Sequence, residues 1–246
     1  MSSAARAART ARTARPSRVS RGVLAALAAL TLGAVGSVGA ASTAAATTVE
    51  AGDGDGRFAS CPTRSELPAG ADPAQWRCEV VVATGHLRLG SVEVPISEPM
   101  TVTHAEGRID GEFHQVFGGL EAAALRVPGT PLSVTPGYGG SFDFLSDEER
   151  MGELGMVFGL SGPGLPRTCS IGSGAEPVGL VLQAVGEPAP GEMPGIEDQR
   201  FALPGTSGCG PSGRVLDRLL ELPSPSGQNS IHLDGTRFIR AYTELS

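Results

Sequence analysis

Hydrophobic and polar residues alternate in several short stretches of the first half of the chain, as is typical of β-strands with one buried face. Residues 78–84 form a compact run rich in Val. Further on, Gly90-Ser91 separates two alternating stretches and predicts a two-residue hairpin turn with Gly at its first position. That turn sets Arg88 opposite Glu93 on one face and hydrophobic partners on the other. Charge and hydrophobic pattern therefore agree on a β-hairpin.

The rest of the chain combines further strands with short helical segments. Residues 113–126 fit either a helix or a strand, because Gly118-Gly119 interrupts the helical pattern. The other patterns predict a helix over residues 146–154, a strand over 178–185, a helix over 214–222 capped by Ser212, and a second hairpin around Asp234-Gly235. We therefore expect a mainly β fold, β-sandwich-like, with one or two short helices.

A stretch rich in Pro and Gly, residues 127–140, divides the region that follows the N-terminal segments into two β-rich halves. The first half covers residues 61–130 and the second covers residues 141–246. A chain of this length can form one large domain or two small ones. The sequence leaves both arrangements open.

The first 46 residues have the features of a cleaved secretory signal peptide. Six arginines precede an uncharged run rich in Ala, Leu, Val and Gly, and small residues at 40–46 offer cleavage sites. The alternative is a single membrane anchor, since roughly 20 apolar residues can span a bilayer. Residues 47–60 are predicted to be a flexible lead-in, and we expect no membrane span after residue 46. The predicted location is secreted, either extracellular or loosely associated with the cell envelope.

Removal of the signal peptide would make the chain strongly acidic. All 19 basic residues are arginines and six of them precede residue 47, whereas all 26 acidic residues follow it, so the net charge would change from −7 to −13. An acidic surface repels nucleic acid and anionic membranes. Nucleic acid is therefore not expected as a partner.

The four cysteines are an even set in a chain predicted to be exported, which indicates two disulfides. Three connectivities are possible. In the local pairing, Cys61 with Cys78 and Cys169 with Cys209, each bridge would stabilise the fold by about 3–4 kcal/mol by restricting the unfolded chain. The alternative is a four-thiolate zinc site, but no Cys-x-x-Cys pair is present to begin one.

A series of short elements containing Cys, Gly and Pro runs through residues 154–246. They are Cys169-Ser170-Ile171-Gly172-Ser173, Phe201-Ala202-Leu203-Pro204-Gly205, Gly208-Cys209-Gly210, Leu222-Pro223-Ser224 and Leu233-Asp234-Gly235. In these elements the chain resembles a family of uncharacterised exported proteins of actinobacteria. The resemblance implies export and a β-rich fold, supports the Cys169–Cys209 pairing and implies no activity. The local pairing of all four cysteines is accordingly favoured.

No catalytic motif is complete in the sequence. The Gly-x-Ser sequences at residues 159–163 and 205–209 lack the final glycine of a serine-hydrolase nucleophile elbow. The histidines follow no metal-ligand spacing, and they are His86, His104, His114 and His232. His104 is in phase with hydrophobic neighbours, so we expect it to be partly buried and hydrogen-bonded. No catalytic residue, metal ligand or cofactor is assigned.

Two groups of acidic residues are also candidates for chemistry. They are Glu106, Asp110 and Glu112, placed in one loop, and Glu148 with Glu149, placed at the start of a helix. Solvated surface charge explains both groups best. Trp76, the only Trp, lies near Cys78 and is predicted to pack on its disulfide.

These observations favour a non-enzymatic, disulfide-stabilised β-protein that binds a partner at the envelope or outside the cell. A large apolar cleft would indicate a carrier of a small or lipid ligand, whereas a solid core would indicate a structural or protein-interaction role. The alternative is an extracellular hydrolase with an unrecognised acidic site. Two carboxylates that converge in a concave pocket would favour that alternative.

Overall fold

The structure, a computed structural model, describes residues 56–188 and 193–245 of the chain. The predicted signal peptide, residues 1–46, lies outside the described residues, as do residues 47–55 of the predicted lead-in. Residues 56–60 are described and include a short 3₁₀ helix, Gly56–Phe58.

Strands make up most of the described chain, so the prediction of a mainly β fold with a short helix is confirmed. The strands are β1 (Trp76–Leu89), β2 (Val92–Ile109), β3 (Glu112–Glu121), β4 (Leu125–Arg126), β5 (Ser133–Asp143), β6 (Gly152–Ser161), β7 (Ser170–Ile171), β8 (Val178–Val185), β9 (Gly195–Asp198), β10 (Thr206–Ser207) and β11 (Ser230–Ala241). The one α-helix described is α1 (Gly213–Leu220), and two further 3₁₀ helices cover Pro73–Gln75 and Gly210–Ser212.

The strands form one antiparallel sheet that folds back on itself. Its hydrogen-bonded order is β5-β6-β8-β9-β11-β1-β2-β3, with the short strands β4, β7 and β10 attached at the β5–β6 end. Although β3 and β5 lie at opposite ends of this order, Phe117 of β3 stacks on Tyr138 of β5 with ring centroids 3.7 Å apart. The sheet therefore encloses an interior. Both predicted halves share this sheet, because β11 pairs with β1 along nearly its whole length.

The first hairpin has the predicted register. Arg88 lies opposite Glu93, and the two strands are joined by Gly90-Ser91. Gly90 has φ +58°, and a Cβ on it would collide with the carbonyl oxygen of Leu220 at the end of α1. Glycine is thus required here both by the turn and by the close approach of the helix.

Two other elements follow the sequence pattern closely. The strand predicted over residues 178–185 is β8, and the ambiguous stretch 113–126 contains most of β3 and all of β4, joined by three residues, with no helix. Helix α1 begins one residue before the predicted span of 214–222 and ends two residues before its end, and the side chain of Ser212 makes no capping hydrogen bond. Glu221 ends the helix in a left-handed conformation with φ 56°.

The helix predicted over residues 146–154 is wrong. The carboxylate of Asp147 accepts hydrogen bonds from the backbone N–H groups of Glu149 and Arg150, at 2.8 and 2.9 Å. These bonds hold a turn, and β6 begins at Gly152. The carboxylate of an Asp can accept hydrogen bonds from nearby backbone N–H groups and so stabilise a turn in place of a helix. The acidic residues at the start of this segment therefore predicted a helix wrongly.

The hairpin predicted at Asp234-Gly235 is also wrong. β11 runs straight through these residues and pairs with β1 on both sides of them. A Cβ on Gly235 would lie 2.8 Å from the Cβ of Ala83. This glycine therefore permits close approach of the neighbouring strand and does not form a turn.

The start of the β1–β2 ribbon is buried on both faces. One face belongs to the large core. The other packs in a smaller cluster that includes Trp76, Cys78 and Tyr242, together with partly buried Cys61. The Cys61–Cys78 disulfide ties the segment before β1 to this second face, and Trp76 lies in the same cluster. The second disulfide joins Cys169 to Cys209.

Candidate functional site

A cavity of about 170 Å³ lies inside the folded sheet, between the β1–β2–β11 layer and the facing strands β6 and β8. Alternate residues of each strand face this interior, which is why the wall is mostly apolar. Representative wall residues are Val81, Val102, Leu154, Leu180, Leu182 and Ile231. The core of this protein is therefore not filled by side chains at this point.

Methionines are concentrated in the wall. The chain has five, and the four that lie in the described residues all line the cavity: Met100, Met151, Met156 and Met193. Met is unbranched and flexible, so it adapts to irregular spaces and to varied ligand shapes. This wall is suited to contact with an apolar molecule.

One end of the cavity is polar. Arg77 and Glu79 come from β1, and His104 and Glu106 come from β2. In the register of these strands Arg77 lies opposite Glu106 and Glu79 lies opposite His104, so all four side chains share one face. Arg237 of β11 joins them at the rim, 3.8 Å from the Glu79 carboxylate. We call these five residues the polar cluster.

Within the polar cluster, Glu106 has a partner facing each of its two carboxylate oxygens. It is 7% exposed and one of its oxygens accepts a hydrogen bond of 2.7 Å from Nε of Arg77. Its other oxygen lies 3.5 Å from Nε2 of His104. Hydrogen bonding by His104 and the positive charge of Arg77 outweigh burial and hold the pKa of Glu106 below its ordinary value. Glu106 is therefore a paired, ionised carboxylate.

Glu79 has the opposite environment. It is 9% exposed, and burial raises its pKa despite the charges of His104 and Arg237 nearby. Arg237, at 3.8 Å, is too distant for a hydrogen bond, and its side chain is 49% exposed. An ionised carboxylate in this position is costly for the fold unless something else binds it.

His104 supplies a second incompletely used polar group. The residue is 3% exposed and its ring packs edge-on against Phe144, with centroids 5.0 Å apart. Its Nδ1 has no hydrogen-bond partner among the described residues. Nε2 faces the Glu106 carboxylate, so the ring carries a proton on Nε2, and Nδ1 is left as a buried polar atom without a partner in the described part of the chain.

The arrangement has two chemical capacities. An apolar cavity that ends in a few polar groups is the usual form of a small-molecule binding site. Two carboxylates whose pKa values are displaced in opposite directions, Glu79 upward and Glu106 downward, are also the usual form of an acid–base pair.

The structure places the other candidate residues outside this site. The acidic residues Asp110, Glu112, Glu148 and Glu149 are exposed, which agrees with the solvated-charge interpretation. Glu106 is a correction, because it lies inside β2 and is buried rather than in a solvated loop. The other three histidines, His86, His114 and His232, do not line the cavity.

Sequence reasoning missed Glu79, Arg77 and Arg237. A signal for Glu79 was present, because it stands two residues before Val81 and so shares the face of the β1 residues that enter the core. The alternation was not visible in the Val-rich run, because both faces of β1 are buried there. No local pattern indicated Arg237, which reaches the site from the far end of the chain.

The described residues contain no group of three or more His, Cys, Asp or Glu side chains able to hold a metal ion. Within the same residues, no helix is long and apolar enough to cross a membrane. The fold and site thus define a mainly β protein with a cavity inside its folded sheet and charged side chains at one end of that cavity. Comparison with protein-family models, curated proteins and solved structures finds no match.

Proposed function

We propose that this chain is an exported binding protein that holds a small, mostly apolar ligand in the cavity beneath β1 and β2. The observation that carries the proposal is the unfilled cavity inside the folded sheet. Protein cores are normally packed to the density of organic crystals. Here that packing is absent beside four methionines and a cluster of buried polar groups. A carrier role follows from this interior better than a structural role.

The cavity volume limits the ligand. An engineered cavity of about 150 Å³ lined by apolar residues binds benzene. The cavity of about 170 Å³ therefore fits a molecule with one six-membered ring, or a short acyl chain. Movement of the methionine side chains would admit somewhat larger molecules.

The predicted signal peptide and the two disulfides support a site of action outside the cytoplasm. Disulfides persist in oxidising compartments, and both are present here. The resemblance of residues 154–246 to exported actinobacterial proteins agrees with this location. We therefore propose that the ligand is met outside the cell or at its envelope.

Binding of toluene, measured by isothermal titration calorimetry on the chain with both disulfides formed, tests the proposal. Val102 of β2 and Val81 of β1 lie opposite each other on the cavity wall. Val102→Phe and Val81→Phe should each reduce the cavity below the size that a one-ring ligand needs and so abolish toluene binding. Val181→Phe is the matched control, because Val181 is 40% exposed and lies between two cavity-lining residues on the outer face of β8.

The expected result is that the unaltered chain and Val181→Phe bind toluene while the filled variants do not. Circular dichroism establishes that each variant is folded. Failure of the unaltered chain to bind, or equal binding by a folded Val102→Phe variant, would overturn the carrier proposal.

The second candidate is an extracellular hydrolase, and the convergence of Glu79 and Glu106 in one cavity favours it. In such an enzyme Glu79, with its raised pKa, would be the general acid and the ionised Glu106 the base or nucleophile. Turnover of chromogenic esters or glycosides that disappears in a folded Glu79→Gln variant would replace the carrier proposal with this one. Binding of toluene without any such turnover would retain the carrier.

A further inference from the structure

We infer that the ligand carries a hydrogen-bond-donating head group, an amine or a hydroxyl, which lies against Glu79 and His104 while its apolar part fills the methionine-lined cavity. This inference rests on the proposed function and names the chemistry of the same site. An apolar acid, which offers acceptors alone when ionised, is the ligand class that it excludes.

The argument begins with the hydrogen-bonding capacity left unused in the polar cluster. Nδ1 of the buried His104 has no hydrogen-bond partner in the part of the chain that the structure describes. The Glu79 carboxylate accepts, and the cation facing it, Arg237, stands 3.8 Å away. The Glu79 carboxylate is therefore an unused acceptor beside that unpartnered ring nitrogen, and a ligand completes it by donating a hydrogen bond.

The donors of the cluster are less available to a ligand. Arg77 already donates to Glu106 at 2.7 Å. Arg237 lies at the rim with about half of its side chain exposed, where water satisfies a guanidinium at little cost. A carboxylate ligand would thus lie near two glutamates, while Arg77 is paired with Glu106 and Arg237 is hydrated at the rim. Like charges in a partly buried site repel strongly.

Three ligands of the same shape test the inference: benzylamine, benzyl alcohol and benzoate. All three have one ring, so the cavity contributes similarly to each, and they differ in the head group. We expect benzylamine and benzyl alcohol to bind at least about tenfold more tightly than benzoate at pH 7, because a charge-assisted hydrogen bond is lost and a repulsion is gained. Tighter binding of the amine than of the alcohol would assign a cationic head group, and the reverse would assign a neutral hydroxyl.

Glu79→Gln supplies the residue-level test. We expect it to weaken binding of the preferred donor ligand by about tenfold and to leave toluene binding unchanged. The matched control is Glu98→Gln, at an exposed position of β2 that does not line the cavity. This control should change neither affinity.

The two levels of failure are distinguishable. If toluene binds but benzoate binds as tightly as the donor ligands, or if Glu79→Gln leaves the donor affinity unchanged, the head-group inference is overturned and the carrier proposal survives. If neither toluene nor any of the three ring compounds binds, the proposed function itself fails.

Discussion

The inward face of the β1–β2 ribbon is built differently at its two ends. At the hairpin end Leu87, Leu89 and Val94 have no exposed surface, and the core is closed around them. At the other end the same face carries the polar cluster and borders the cavity. The same face of one pair of strands thus borders a solid core at one end and a cavity at the other.

The difference separates an end whose inward side chains all stabilise the fold from an end that also contains features opposing stability. The apolar side chains at the hairpin end bury surface and fix the register of the two strands. At the cavity end the interior is unfilled, and Glu79 is a desolvated acid without a close partner. Features that oppose stability persist at functional sites, because selection retains them for binding or catalysis. We therefore assign structure to the first end and function to the second.

The largest effect is expected from matched Leu→Ala changes at the two ends. Leu87→Ala removes a side chain packed on every side and should lower the free energy of unfolding by about 3–4 kcal/mol. Leu182→Ala makes the same deletion in the cavity wall, where the side chain already lacks neighbours on one side, and should cost about 2 kcal/mol. Urea denaturation measures both. Equal costs would mean that the cavity end is packed as tightly as the hairpin end.

The next effect concerns Glu106, the paired carboxylate. Its pKa is lowered in the folded state, so the ionised form stabilises the fold above the ordinary value of 4.5, and this stabilisation is lost as the pH falls through the lowered pKa. Glu106→Gln should therefore lower the free energy of unfolding by about 2 kcal/mol at pH 7. Denaturation at pH 7 and at pH 3 tests this, and a loss that stays equally large at pH 3 would contradict it.

Glu79→Gln should act in the opposite direction. Burial raises the pKa of Glu79, so the folded state binds its proton more tightly than the unfolded state does. Ionisation above 4.5 therefore costs stability, and the cost is complete above the raised pKa. The variant should be about 1 kcal/mol more stable than the unaltered chain at pH 7 and equally stable near pH 4. A destabilised variant at pH 7 would show that Glu79 is structural.

The smallest effect is expected on the outer face of the hairpin. Arg88 and Glu93 are directly opposite, as Arg77 and Glu106 are, but both are exposed. Exposed charge pairs contribute little because water and salt screen them, so Glu93→Gln should change stability by only a few tenths of a kcal/mol. A cost similar to that of Glu106→Gln would indicate that burial does not distinguish the two pairs.

Local elements were predictable where one short stretch contained all the relevant interactions. The Gly90-Ser91 turn and β8 are of this kind, since turn chemistry and alternation lie within a few residues. The helix predicted at 146–154 and the hairpin predicted at Asp234-Gly235 failed for the converse reason. Asp147 bonds its own backbone in a turn, and Gly235 is required by the approach of β1, a strand about 150 residues earlier in the chain.

The sequence by itself determined the mainly β class, the register of the first hairpin and the expectation of two disulfides, because these depend on alternation, turn residues and cysteine content. Only the tertiary structure decided that the sheet folds back on itself, that its interior is left unfilled, and that Glu79, His104 and Glu106 meet Arg237 there. The physical reason is that alternation specifies which side chains share a face of a strand, whereas burial, and with it the pKa of a carboxylate, depends on which distant strand covers that face.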